Sequence, residues 1–272
     1  MARRWNIAVV CLTVFLYLGI VVAGLKIKSF PHFTIGKPLD QTRMAWTPPH
    51  RSRIPEGSLG DSIRRGALLF DETPLYASRF THAKITCANC HADGGMQPYA
   101  SPVVGVPELF PMFNARAGHT ISLKDRIQEC FVRSENGNPL PYDGPEMQAL
   151  VDYITWLSQP QPDRRPFTGR GLIELPDLTP DPHHGQEIYA TQCAGCHGQS
   201  GQGRPPLYPP VWGPDSFNDG AGMNGIPKMA AFVQHNMPQN RMGILSPQDA
   251  FDVAAYVHSQ PRPTFNKAYK HF

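Results

Sequence analysis

Two short stretches hold the residues best suited to chemistry: Cys87-Ala88-Asn89-Cys90-His91 and Cys193-Ala194-Gly195-Cys196-His197. Two thiols with two residues between them, followed directly by an imidazole, form the C-x-x-C-H pattern of c-type haem attachment. The spacing has a physical reason. The thiols add to the two vinyl groups of the porphyrin, and the intervening residues set the span between them. The adjacent histidine then turns under the ring as the proximal iron ligand. Zinc pairs sit closer together than Cys90 and Cys193 do. A thioredoxin-like pair needs a strand–turn–helix setting, which surrounds neither copy. Two covalently bound haem c groups are therefore expected, at Cys87/Cys90 and Cys193/Cys196, with His91 and His197 on iron.

The elements that must position these sites repeat as well. Arg65-Gly66-Ala67-Leu68-Leu69-Phe70 before the first site resembles His184-Gly185-Gln186-Glu187-Ile188-Tyr189 before the second. Downstream, Glu146 to Gln159 and Gln248 to Gln260 both place apolar residues at i, i+3, i+4 and i+7, and both run into Ser-Gln-Pro. Trp156 and Tyr256 occupy comparable places near the two ends. This layout resembles class I cytochrome c domains, whose first and last helices cross beside the haem, and the resemblance covers nearly all of residues 60–262. The expected fold class is all-α, with two tandem domains at 60–160 and 183–262. Residues 161–182, rich in proline and without helical period, read as a linker, and 263–272 as a tail. The first domain has an extra stretch, Asp71 to Thr86, ahead of its attachment site.

The sixth iron ligands differ between the halves. In the second, Met237 of His235-Asn236-Met237-Pro238 is the leading candidate, Met229 the runner-up, and Met223 and Met242 weaker ones. The first half lacks such a loop but contains Cys130, which follows His91 at nearly the interval at which Met237 follows His197. A thiolate ligand would donate charge to iron, favour the ferric state and lower the potential. On spacing alone, a ligand and a buried free thiol are equally good readings of Cys130. Met96, Met112, His119 and Met147 are the other candidate ligands.

Around Cys130 the chain reads Arg126-Ile127-Gln128-Glu129-Cys130-Phe131-Val132-Arg133-Ser134-Glu135-Asn136-Gly137-Asn138-Pro139-Leu140, after a stretch with Phe110-Pro111, Arg116 and Gly118. This closely resembles the catalytic haem domain of the dihaem thiosulfate dehydrogenases. The opening from Cys87 to Gly95 fits that family too. The resemblance implies that two thiosulfates are joined to tetrathionate and two electrons pass to the haems. By position, Cys130 would be ligand and catalytic sulfur, while Arg116, Arg126 and Ser134 would bind the anionic substrate. Cationic forks and hydroxyl donors suit a reaction that brings two dianions together, and a thiolate suits a coupling by covalent steps. For Arg133 a solvated surface charge is an equally good reading. Some relatives carry a lysine before the second-haem methionine; Asn236 stands there here and cannot ligate iron. A His/Met pair is thus implied at the second haem in both redox states, with the working direction open, since the same scaffold can reduce tetrathionate. The alternative is a non-enzymatic dihaem electron carrier serving a dehydrogenase or oxidase, in which Cys130 would only set a potential or lie buried. A dihaem peroxidase fits less well, because no calcium motif is present.

The rest of the chain bounds the setting. Its 272 residues include 29 prolines and 24 glycines, which argues for long ordered loops rather than a sheet-rich core. The formal charge is +3, and Arg3 and Arg4 account for two of those charges. With no basic run interleaved with aromatics, nucleic acid is excluded as a partner. Ile7 to Leu25 is uncharged, and as a helix rising ~1.5 Å per residue it nearly spans a bilayer core of ~30 Å. The two arginines ahead of it place the body outside the cytoplasm. Residues 1–25 read as a membrane anchor on the periplasmic side; a signal peptide cleaved at Val21-Val22-Ala23 is the competing reading and would leave a soluble periplasmic protein. Residues 26–59 form an irregular extension. The expected partners are thiosulfate or tetrathionate, a soluble or membrane-bound cytochrome as electron acceptor, and the membrane itself.

Overall fold

A computed structural model of the chain describes residues 49–159 and 167–272. The N-terminal segment read above as an anchor or signal peptide lies outside the described residues. Among those described, no helix is long and apolar enough to cross a membrane.

The described chain is mostly helical and forms two domains, each with its own core. In the first, helix α1 (Ser58–Asp71) leads through a helical turn at Thr73–Tyr76 to the short helix α2 (Cys87–Cys90). A small antiparallel hairpin follows, β1 (Met112–Asn114) with β2 (His119–Ile121), and pairs Phe113 with Thr120. Helices α3 (Leu123–Arg133) and α4 (Pro145–Leu157) complete the domain. The second domain has α5 (Pro182–Ile188), a π-helical turn at Tyr189–Cys193, α6 (Ala194–His197), α7 (Ile226–Asn236) and α8 (Pro247–His258). The hairpin departs from the all-α expectation. Its strands are three residues long, too short to leave a period-two signature in the sequence.

The paired sequences around Gly66 and Gly185 turn out to be the helix crossings. A Cβ on Gly66 would lie 2.0 Å from the Ala149 carbonyl oxygen, and one on Gly185 would lie 2.0 Å from that of Asp252. The first helix of each domain thus touches the backbone of the last, an approach open only to glycine. Around the first crossing Ile63, Leu69, Phe70, Met147, Leu150, Tyr153 and Leu157 form one core; around the second, Ile188, Tyr189, Trp212, Phe251 and Val253 form another. The last helix of the second domain starts at a reciprocal capping box, Ser246 with Asp249.

A third apolar cluster joins the domains: Ala92, Ala100 and Phe232, with Leu172, Met223 and Met237 packed against it. Polar contacts reinforce the boundary. The Asn218 side chain donates to the Val132 carbonyl at 2.9 Å, and Lys84 pairs with Asp215 at 2.8 Å. Arg133, for which a surface position was an equal reading, is instead 6% exposed. It donates to the Gly220 carbonyl at 3.4 Å and to the Phe272 carbonyl at 3.1 Å, and lies over the Phe265 ring.

Two candidate haem cavities

Both thiols of the first pair border a cavity of about 310 Å³, together with His91. The local sequence builds this wall. Thr86 and Asn89 form a reciprocal capping box that starts α2, and the Thr73 hydroxyl accepts the Cys87 amide at 3.0 Å. After His91, Asp93, Gly94 and Gly95 all take positive φ, which reverses the chain. The reversal brings Ser101 back to His91, whose Nδ1 is hydrogen-bonded to the Ser101 carbonyl. With the proton held at Nδ1, Nε2 keeps its lone pair for a metal. Burial lowers the pKa of His91 and so favours the neutral, ligating ring.

The same cavity is bordered by Leu123, Arg126, Ile127, Cys130 and Phe131 of α3, and by Ser134 at its end. The intervals of three and four put these side chains on one face. Burial pushes the Cys130 thiol pKa up, while the charges of Arg126 and, less strongly, Arg116 pull it down. Arg126 in turn is held protonated chiefly by facing Cys130 and is anchored by Glu129, with Nη1 2.9 Å from Oε2. A metal at this thiol would deprotonate it outright. Of the other candidate ligands, Met112 borders the cavity, Met147 is fully buried in the core, Met96 packs against that core, and His119 is exposed on the hairpin. Arg116 stands on the hairpin turn outside the cavity wall, donating to the Gly220 carbonyl at 3.3 Å.

Sequence reasoning passed over Glu135 and Arg170. Glu135 borders the cavity and is 2% exposed, and burial raises its pKa well above the usual carboxylate range. The motif around Cys130 contained it, but no residue type or spacing set it apart. Arg170 comes from the segment read as a plain linker.

The second cavity, of about 520 Å³, is bordered by Cys193, Cys196, His197 and Met237. Tyr189 opens the π-helical turn that leads into it and donates to the Gly198 carbonyl at 2.8 Å. His197 Nδ1 lies 2.9 Å from the Pro209 carbonyl oxygen, so the same tautomer argument holds, and burial lowers its pKa too. Met237 follows α7 directly. Met223 and Met229 also border the cavity, whereas Met242 is 52% exposed. Asn236 is buried beside Met237 and turned toward the first domain. Cys90 and Ile85 border both cavities, so the two sites share a wall.

The donor sets fit covalent haem: each cavity offers a thiol pair on one turn of chain and an adjacent imidazole whose Nδ1 is already engaged. The five described cysteines form no disulfide, which leaves the four paired thiols free for thioether bonds. Fold and cavities together define a dihaem c-type cytochrome. Residues 183–261 match the cytochrome c family, and residues 73–162 match the SoxA/TsdA cytochrome c domain. The chain is 40% identical to the thiosulfate dehydrogenase of Allochromatium vinosum, over 82% of its own length and 87% of the relative's. It is 37% identical to that of Stutzerimonas stutzeri, over 79% and 72% respectively. A solved structure of the as-isolated thiosulfate dehydrogenase TsdBA from Marichromatium purpuratum superposes with a TM-score of 0.76 at 35% identity. That match covers 84% of this chain and 52% of the solved one, so the chain spans about half its length. The chain belongs to the thiosulfate dehydrogenase family and carries two covalently bound haem c groups.

Proposed function

We propose that this protein oxidises two thiosulfates to tetrathionate and passes the two electrons to an external acceptor. The observation that supports this most is the placement of Cys130 and Arg126 on one face of α3, bordering the same cavity as His91. A simple electron carrier has no use for a cation beside a buried thiol at its haem. When bound, the haems supply iron centres that each take one electron at a time.

The protein side of the reaction follows from the residues. Arg126, with Arg116 further out, offsets the charge of the incoming dianions, and the Ser134 hydroxyl donates to a sulfonate oxygen. The Cys130 thiolate forms a sulfur–sulfur bond with the outer sulfur of the first thiosulfate, and two electrons leave in that step. The second thiosulfate attacks the bound sulfur, breaks its bond to Cys130 and departs as tetrathionate, which restores the thiolate. Cys87/Cys90 and Cys193/Cys196 attach the haems. His91 and Cys130 would hold the iron of the first haem, and His197 and Met237 that of the second. Residues 1–25 hold the protein at the outer face of the cytoplasmic membrane, where a soluble or membrane-bound cytochrome collects the electrons.

Reduction of the purified holoprotein by thiosulfate, with sulfite as comparison donor, tests the reaction. Cys130→Gly is expected to keep both haems, lose the low-spin His/thiolate signal in electron paramagnetic resonance, and lose nearly all thiosulfate oxidation. Normal ligation with normal turnover in that variant would favour the electron-carrier reading instead.

A further inference from the structure

Residues 167–172 of the interdomain connection are built into the first haem site. Tyr99 donates its amide to the Gly169 carbonyl at 2.7 Å, and Ser101 donates to that of Gly171 at 2.9 Å. These two bonds hold the connection alongside the strand of chain whose Ser101 carbonyl orients His91. Arg170, between them, borders the first cavity. Its guanidinium lies against Gly105, where a Cβ would meet Nη2 at 2.1 Å and Cζ at 2.8 Å. Gly105 has a φ of +71°, so both the backbone and the space favour glycine there. Among the described residues, the carboxylate paired with Arg170 is that of Glu108, 3.9 Å away and largely exposed.

We propose that Arg170 binds a propionate of the first haem, making the interdomain segment part of that haem's electrostatic environment. Haem enters this cavity with two carboxylates, and a carboxylate in an otherwise apolar pocket needs a cation or several donors. The planar guanidinium can supply two parallel hydrogen bonds to it. Arg126, the other arginine on the wall, lies on the Cys130 helix and is already engaged by Glu129. Arg170 reaches the cavity beside Ser101, from the His91 side. A positive charge near iron disfavours the ferric state, so this contact raises the potential of the first haem.

The test is a redox titration of the holoprotein without thiosulfate, following each haem by its electron paramagnetic resonance signal. Its outcome is therefore independent of the proposed reaction. In Arg170→Gln the first-haem potential should fall and become pH-dependent near neutrality, because the unpaired propionate gains a proton on reduction. The second-haem potential should not move. Arg170→Lys, which keeps the charge but not the paired donors, should fall between the two and keeps the test open if Arg170→Gln yields no folded protein. Unchanged potential and pH slope in both variants would overturn the proposal. So would an unchanged potential with a raised KM for thiosulfate, which would assign Arg170 to substrate instead.

Discussion

Gln97 and Asn236 meet across the domain boundary, with Gln97 Nε2 donating to Asn236 Oδ1 at 2.7 Å. The Asn236 amide donates onward to the Tyr99 carbonyl at 3.1 Å and to the Phe232 carbonyl at 2.9 Å. The residue before Met237 is thereby tied to the loop that carries Ser101. Asn236→Ala should leave the Tyr99 carbonyl without its Asn236 donor and remove the bond from Gln97, at a cost of about 1–3 kcal/mol. Denaturant unfolding of the holoprotein would measure it, and an unchanged midpoint would mean that water replaces these bonds without loss.

Met237→Ala should abolish the ferric methionine-to-iron charge-transfer band of the second haem, while Met229→Ala should leave it intact. Both side chains border the cavity, but Met229 lies within α7 and Met237 just past its end. The reverse pattern of band loss would move the ligand into the helix.

Arg126→Ala should raise the KM for thiosulfate with little change in the haem spectra. A charge-assisted hydrogen bond contributes about 1.5–3 kcal/mol, which corresponds to roughly ten- to a hundredfold in binding. Steady-state kinetics with an artificial acceptor would read this. A fall in kcat at constant KM would instead give Arg126 a role confined to the transition state.

His184 and Asp252 link α5 to α8, with Nδ1 and Oδ2 2.8 Å apart. The hydrogen bond to Asp252 raises the His184 pKa above its ordinary value of 6.5. Burial alone would raise Asp252, but the Asp181 amide, His184 and Gln248 outweigh it and the net shift is downward. The histidine's stabilising contribution is complete below pH ~6.5 and is lost as pH climbs through its raised folded pKa. The aspartate's is present above pH ~3.9 and is lost as pH falls through its lowered folded pKa. The Tm difference between the native protein and His184→Gln should thus be largest between these limits and shrink at higher pH. A difference that stays flat through neutrality would show that the pair is not charged in the folded state.

Much of this architecture could be read from residue patterns, and the parts that could not have a common cause. The repeated Arg-Gly and His-Gly openings mark helix crossings because only glycine lets two backbones touch, and that demand leaves a fixed residue type at a fixed place. The face of α3 that borders the first cavity follows from intervals of three and four. The interdomain cluster around Phe232, the buried position of Arg133 and the placement of Arg170 rest on contacts between residues far apart in sequence. Nothing local to those residues distinguishes them from surface side chains. Asn236 is the instructive case: its identity showed only that it could not ligate iron, whereas its place in the fold gives it three hydrogen bonds.

The wall that Cys90 and Ile85 form between the two cavities has an optical consequence. Two porphyrins held in these cavities would be separated by that shared wall, close enough for their Soret transition dipoles to interact, and a fixed angle between them would make the interaction chiral. The holoprotein should show a two-signed exciton couplet in Soret circular dichroism, with amplitude insensitive to protein concentration. Changing Cys193 and Cys196 together to alanine, which removes the second haem, should collapse the couplet to a band of one sign.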